Sequence, residues 1–403
     1  MRTRTALGVI ARAAAAGVVA GGLAVGLEWW VVDVATAQLA DHATWIPIAM
    51  SVGMLTVLVI GRLTRTDASL TDDVVTELTG GSAPASRVTM ARACMTAITL
   101  GVGVPLGIEG PAVAFGGTIG GRIGQRSGAQ VARWCVVAGA AGALGGIMRA
   151  PIAGALFAIE LPYRRGARWR DLPVALIGGV SGSAISWWRH GDVTRFDVAS
   201  VPLPARGVAA SIVVGFAIVL VVRSLVLALR WATSARDSLR VVSIAVVVVA
   251  AMSAIELVSS EVSISSGAAI FELARDPAIA VGTVAALGAL RFAGVVAAVG
   301  ARAVGGLTVP LLILGALTGR VVAELVAAPI VAVMFAGATA AFAYGFRVPF
   351  AALALAFETT HSVTVLVAAT IAISIVSIAN GDPVVATQTP GVDRRRVRRE
   401  ARR

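Results

Sequence analysis

The stretch Ala138–Glu160 recurs without a gap as Ala336–Glu358, and this duplication constrains the fold more than any other feature of the chain. AGAAGALGGIMRAPIAGALFAIE is matched by AGATAAFAYGFRVPFAALALAFE. Nine of 23 positions are identical, among them the pairs Arg149/Arg347, Pro151/Pro349 and Glu160/Glu358. Alanine-rich composition inflates such a match, but R-x-P followed at a fixed distance by glutamate is not a product of composition. Upstream, with one residue of slippage, Gly107-Ile108-Glu109-Gly110-Pro111 pairs with Gly306-Leu307-Thr308-Val309-Pro310. Gly116 then meets Gly315, and Gly120 meets Gly319. Matching interrupted helices in two halves are the sequence pointer to a transporter-type fold with its site at the repeat interface. The polar stretch Arg189–Arg206 divides the halves, about 1–195 and 205–390, and a basic tail, 391–403, follows. An odd number of spans in each half makes the halves run oppositely.

Hydrophobic residues make up 57% of the 403, charged residues 14%, and the mean hydropathy is +0.87. A soluble chain of this size needs more charge to cover its surface, so the composition is that of an integral membrane protein. Apolar runs fall at about 6–32, 44–61, 88–106, 110–121, 131–148, 172–188, 207–229, 240–258, 278–301, 307–319, 328–346 and 362–379. Several are shorter than the ~20 residues of a full span. Short runs interrupted by glycine and proline predict broken or re-entrant helices, tolerated only where protein or a water-filled cavity satisfies their ends. The expected fold is therefore all-α and polytopic, with two inverted repeats. The 44 glycines permit close helix packing.

The net charge of +12 comes from arginine alone, with no lysine in the chain. Seven arginines lie in the last ten residues and Arg2 and Arg4 at the other end, which reads as a topology signal placing both termini in the cytoplasm. On a membrane protein that reading outweighs nucleic-acid binding. Trp29-Trp30 and Trp187-Trp188 end apolar runs, as interfacial anchors do. The first run is read as a membrane helix and not a signal peptide. Cys94 and Cys135 read as buried thiols. His42, His190 and His361 show no ligand spacing, so neither metal nor cofactor is expected.

Between Val88 and Gly121 the only ionisable side chains besides the thiol of Cys94 are Arg92 and Glu109. An ionisable residue at membrane depth is a functional-site hypothesis by default. Glycines let backbone approach a ligand, and proline favours the start of a helix. The segment around Pro111 therefore reads as a helix N-terminus inside the bilayer, whose free N–H groups attract an anion. Glu109 fits the same place as a tethered one. The alternative is a glutamate paired structurally with a neighbouring helix. A second helix start at Pro310, converging from the opposite side, completes an anion site without a fixed positive charge, weak enough to release its ion.

The motifs G-x-E-G-P at 107–111, G-A-A-G with R-x-P-I-A-G-x-L-F-x-x-E at 139–160 and G-G-x-x-x-P at 305–310 resemble, in order, those of the CLC family of chloride channels and chloride/proton antiporters. The resemblance covers roughly 85–160 and 260–379. It implies a homodimer with an anion pathway in each subunit. It also implies that Glu109 is the gate, and that the backbone of Gly107, Ile108, Glu109 and Gly110 forms one lip and that of Leu307, Thr308 and Val309 the other. Ile108 stands where the family often has arginine, and Thr308 where it has phenylalanine, leaving that lip more polar. The family's Gly-Ser-Gly-x-Pro loop is missing. By spacing it falls near Arg65–Ser69, where Ser69 is the candidate central-ion hydroxyl and Asp67 a repulsive neighbour. Val384-Val385 stands in place of the central-ion tyrosine, and neither Tyr163 nor Tyr344 replaces it. Glu160 corresponds to a structural glutamate. Leu161 takes the next position, where antiporters carry their inner proton-transfer acid.

The expected function is transport of chloride or a similar small anion across the plasma membrane, gated by Glu109, with passive conduction favoured because Leu161 carries no proton. The alternatives are a chloride/proton antiporter and a CLC-derived membrane protein that does not conduct. No Ser/His or Asp/Asp arrangement supports an enzyme. The expected partners are the anion, membrane lipids and a second copy of the chain, with no nucleic acid.

Overall fold

In a computed structural model the chain is described over residues 3–40, 45–66, 71–79, 85–191, 196, 198, 200, 202–234, 246–247 and 268–390. Ser69, Asp67, most of the apolar run 240–258 and the basic tail lie outside the described residues. The first half comprises α1 (Thr3–Glu28), α2 (Ala37–Ala40), α3 (Ile46–Thr64), α4 (Thr71–Leu78), α5 (Ser86–Gly101), α6 (Glu109–Gly124), α7 (Ala129–Met148), α8 (Pro151–Glu160) and α9 (Leu172–His190). The second comprises α10 (Ala205–Ser234), α11 (Ala268–Arg275), α12 (Val281–Gly300), α13 (Thr308–Val326), α14 (Ile330–Phe346), α15 (Pro349–Thr360) and α16 (Val363–Ile378). A π-helical segment, Trp29–Thr36, continues α1. There is no strand among the described residues, and five of the helices are long and apolar enough to cross a membrane.

The packing repeats with the sequence. α7 lies against α1, α6 and α9, and its counterpart α14 lies against α10, α13 and α16. In both halves glycine allows the contact. A methyl group at Gly139 would land on the carbonyl of Gly116, and one at Gly337 on the carbonyl of Gly315. Small residues of this kind let helix backbones meet where no hydrophobic force drives them together.

The R-x-P element also does the same job twice. Arg149 ends α7 and Arg347 ends α14 in the left-handed conformation, with φ of 55° and 60°. The next residues, Ala150 and Val348, leave the helical region, as residues before proline do. Pro151 and Pro349 then open α8 and α15 at the position where a missing N–H costs least.

α8 and α15 run side by side in opposite directions. The Glu160 carboxylate at the end of α8 accepts hydrogen bonds from the N–H groups of Phe350 (3.2 Å) and Ala351 (2.7 Å) at the start of α15. Glu358, at the same register of α15, accepts from Ile152 (2.9 Å) and Ala153 (2.7 Å) at the start of α8. Each glutamate satisfies two N–H groups that the other helix leaves over. This reciprocal clasp fixes the halves as inverted copies. Phe157 of α8 stacks on Phe342 of α14 (5.6 Å between centroids) and meets Phe346 edge-on (5.8 Å), adding an apolar seam across the same boundary.

Two runs extend further than the sequence indicates. The run 110–121 becomes the 16-residue α6, and 307–319 becomes the 19-residue α13, long enough by itself to cross a membrane. Both still begin in the protein interior, as the site shows.

Candidate functional site: two helix starts joined back to back

The loops that lead into α6 and α13 meet as a two-residue antiparallel bridge. The Gly107 N–H donates to the Gly306 carbonyl (2.8 Å) and the Gly306 N–H donates to the Gly107 carbonyl (2.6 Å). Glycine lets the two loops meet this closely, most strictly at Gly306. A Cβ at Gly306 would stand 2.6 Å from the Gly110 nitrogen, and one at Gly107 would stand 3.2 Å from the Val309 nitrogen. A second tie comes from the fully buried Thr99, whose hydroxyl oxygen accepts from the Val304 N–H (3.3 Å). The two lips are therefore held in contact by backbone and not by long side chains.

Each helix starts two residues before its proline. Ile108 and Leu307 are the capping positions, Glu109 and Thr308 the first helical residues, and Pro111 and Pro310 the third. The first intrahelical bonds run from Ala112 N–H to Ile108 and from Leu311 N–H to Leu307, both 3.0 Å. By helix geometry the amides of Ile108, Glu109 and Gly110, and those of Leu307, Thr308 and Val309, precede the first donor of the ladder. Proline in third place removes only an N–H that the ladder does not use. The two sets of amides carry the positive ends of two helix dipoles to one interior point.

Glu109 is 2% exposed and Thr308 is 2% exposed. The Glu109 carboxylate bends back over the start of its own helix. A Cβ built on Gly107 would lie 2.5 Å from Glu109 Oε2, and the same point is 3.2 Å from the Val309 nitrogen. The carboxylate thus lies against Gly107, at the junction of the two lips. The residues the sequence singles out in both motifs come together here.

The inner side departs from that pattern. Leu161 is fully buried at the end of α8, and its carbonyl accepts a hydrogen bond from Gln388 Nε2 (2.7 Å). The same nitrogen donates to the Phe346 carbonyl at the end of α14 (2.7 Å). Gln388, 4% exposed, thus bridges one helix end from each half. Sequence reasoning missed it, because a lone glutamine in a polar C-terminal stretch carries no signal. Val385 is buried, and Val384 is tied by its N–H to the Gly345 carbonyl (2.8 Å). Tyr344 donates to the Asn380 carbonyl (3.3 Å) under the Arg347 guanidinium, and Tyr163 bridges to Thr389, so both tyrosines serve the C-terminal segment. Among the described residues no group of histidine, cysteine or carboxylate side chains is arranged to hold a metal.

The sequence matches the voltage gated chloride channel family over residues 52–381. The chain belongs to that family. Its fold is similar to the crystal structure of a slow cyanobacterial Cl⁻/H⁺ antiporter, with 20% identity, a TM-score of 0.79, and 98% of this chain and 97% of the other covered. It is also similar to a CLC-type fluoride/proton antiporter (19% identity, TM-score 0.80, 96% and 99% covered) and to a eukaryotic CLC transporter (20%, 0.75, 95% and 74%). No curated protein sequence matches. At these identities the likeness carries the fold, and the CLC family carries the general character of an anion-transporting membrane protein.

Proposed function

We propose that the chain passes chloride or a similar small anion between the two lips, and that the Glu109 carboxylate gates the passage by competing for the same amides. The observation that carries this reading is the bridge between Gly107 and Gly306 with Glu109 Oε2 folded against it. The amides of Ile108 to Gly110 and of Leu307 to Val309 hold the ion through partial charges, which bind it weakly enough to let it leave. Protonation of Glu109 removes the tethered anion and opens the path.

Conduction is passive in this reading. Leu161 has no side-chain proton to relay, its N–H donates to the Phe157 carbonyl (2.8 Å), and its carbonyl is engaged by Gln388. The chain works as a homodimer in the plasma membrane. The arginine-bearing turn 164–168 lies beside the C-terminal segment, with Arg165 donating to Asn380 (3.0 Å) and the Arg164 N–H to Thr389 (2.8 Å). Arginine-rich turns favour the cytoplasmic side, which supports a cytoplasmic C-terminus. Arg230, near the end of α10, joins that side through Asp382 at 2.7 Å. Because the halves are inverted, α1 starts where α10 ends, and the N-terminus shares the side.

Anion flux from liposomes holding the purified protein tests the reading. Flux rises as the outer side is acidified, and Glu109→Gln abolishes that dependence while flux stays intact or increases. Loss of all flux in a folded Glu109→Gln protein makes Glu109 a structural or binding residue. Silence of both proteins supports the non-conducting alternative. An imposed pH gradient does not drive chloride uphill in wild type; proton movement in fixed ratio opposite to chloride establishes antiport instead.

A further inference from the structure

Away from the lips, on the side of the C-terminal segment, the protein has an open cavity of about 650 Å³ walled by the end of α10, the turn after α8, the α14–α15 break and the end of α16. Five arginines line it, Arg164, Arg165, Arg223, Arg230 and Arg347, against one carboxylate, Asp382. Part of this charge has an ordinary explanation. Arg347 donates to the carbonyls of Ala379 (3.0 Å) and Gly381 (2.6 Å), and Arg165 donates to Asn380 Oδ1 (3.0 Å), so both fasten the end of α16. The other three need another reason. Arg230 and Arg164 converge on Asp382 at 2.7 and 4.0 Å, and Arg223 makes no hydrogen bond or ion pair among the described residues.

We propose that this cavity binds a multiply charged phosphate group, a phosphomonoester or a diphosphate. Guanidinium groups present planar forks that match phosphate oxygens two at a time, whereas a chloride ion in an open cavity of this size gains little from five of them. Asp382 occupies the place of the ligand. Its carboxyl is held below the usual carboxylate range by the Arg230 hydrogen bond and charge, so at neutral pH it is an internal anion that a phosphate displaces. Two sources of this chemistry reach the site. Leu227, which lines the cavity, and Trp231 and Ile378, each adjacent in sequence to a lining residue, are exposed apolar side chains, which fits the headgroup of an anionic lipid. The opening toward the C-terminal segment equally admits a free diphosphate.

The test uses the full purified chain and two probes. Inorganic pyrophosphate is titrated calorimetrically at low salt. Separately, the protein is taken from phosphatidylcholine vesicles with and without phosphatidic acid, and retained lipid is counted by native mass spectrometry. Arg223→Gln with Arg230→Gln lowers affinity or retention by roughly tenfold or more, the loss expected for charge-assisted hydrogen bonds. Asp382→Asn, which removes the competing carboxylate, raises it, a gain that misfolding cannot produce. Pyrophosphate binding with these responses assigns the free source. Retention of phosphatidic acid with them, and no pyrophosphate binding, assigns the lipid. If wild type takes neither probe, or takes either one with an affinity that Asp382→Asn and the Arg223→Gln/Arg230→Gln double variant both leave unchanged, the proposal is overturned. The anion path through Glu109 is not involved in any of these readouts, so the two readings fail independently.

Discussion

In the first half α6 opens with Glu109 and in the second α13 opens with Thr308, yet the helices behind these residues are arranged alike. α7 and α14 are seated by glycines on glycine carbonyls, end in left-handed arginines and hand the chain to a proline. α8 and α15 exchange the same carboxylate bonds. The duplicated parts are those that set backbone positions. Among the parts that differ is the residue that opens each helix, a carboxylate in α6 and a hydroxyl in α13. Symmetry supplies two helix starts that meet at one bridge, and in the proposed function the residue that differs between them is the gate.

The comparison is most severely strained at the glycine contacts. Gly139→Val and Gly337→Val each force a side chain onto a backbone carbonyl that cannot move aside. Each should cost at the upper end of the ~1–3 kcal/mol typical of overpacking, or more. Both should cut the yield of monodisperse protein in size-exclusion chromatography to a similar degree. Tolerance of one and not the other breaks the equivalence of the halves. Next come the clasps. Glu160→Ala and Glu358→Ala each strand two N–H groups, one of them on a buried residue, Ala351 or Ala153, for an expected loss of about 1–3 kcal/mol at the buried group. Thermal unfolding in one detergent should show matching falls, and clearly unequal falls mean that one clasp alone holds the boundary.

Smaller effects sharpen the comparison at the lips. Glu109→Gln should leave the melting temperature nearly unchanged and remove the rise of flux with acid. Thr308→Val, at the matching position, should keep that rise and change the rate only modestly, since the anion meets backbone amides there. Liposome flux measured across pH decides it. A pH response that survives Glu109→Gln and vanishes in Thr308→Val reverses the roles of the two lips.

Much of this was legible in the sequence because the fold uses local, periodic signals twice. R-x-P marked both helix breaks, and the paired glycines marked both tight contacts. Glu109 stood out because an acid in an apolar run has few innocent explanations. The lengths of α6 and α13 were not legible, since Arg122 and Arg320 interrupt the apolar runs without ending the helices. α8 and α15 escaped the tally of apolar runs, being short and following directly on α7 and α14. The exchange between Glu160 and Glu358 needs two helices brought together from residues 190 or more apart, which no local pattern encodes. Gln388 escaped for the same reason. Ser69, placed by spacing alone, lies outside the described residues, and its role at a central ion stays a proposal.

The clasp between α8 and α15 also has a consequence for how the protein is made. When the first half has been synthesised and inserted, the start of α8 has no partner for its N–H groups, and Glu160 sits in the membrane without the amides it will hold. Those amides belong to residues 350 and 351, which leave the ribosome 190 residues later. Until then the nascent chain carries an unfinished polar patch at membrane depth, and it has reason to stay beside the insertion machinery instead of diffusing into lipid. A chain truncated before α15 should therefore be recognised by the cell as incomplete and degraded, even though every span of its first half is present.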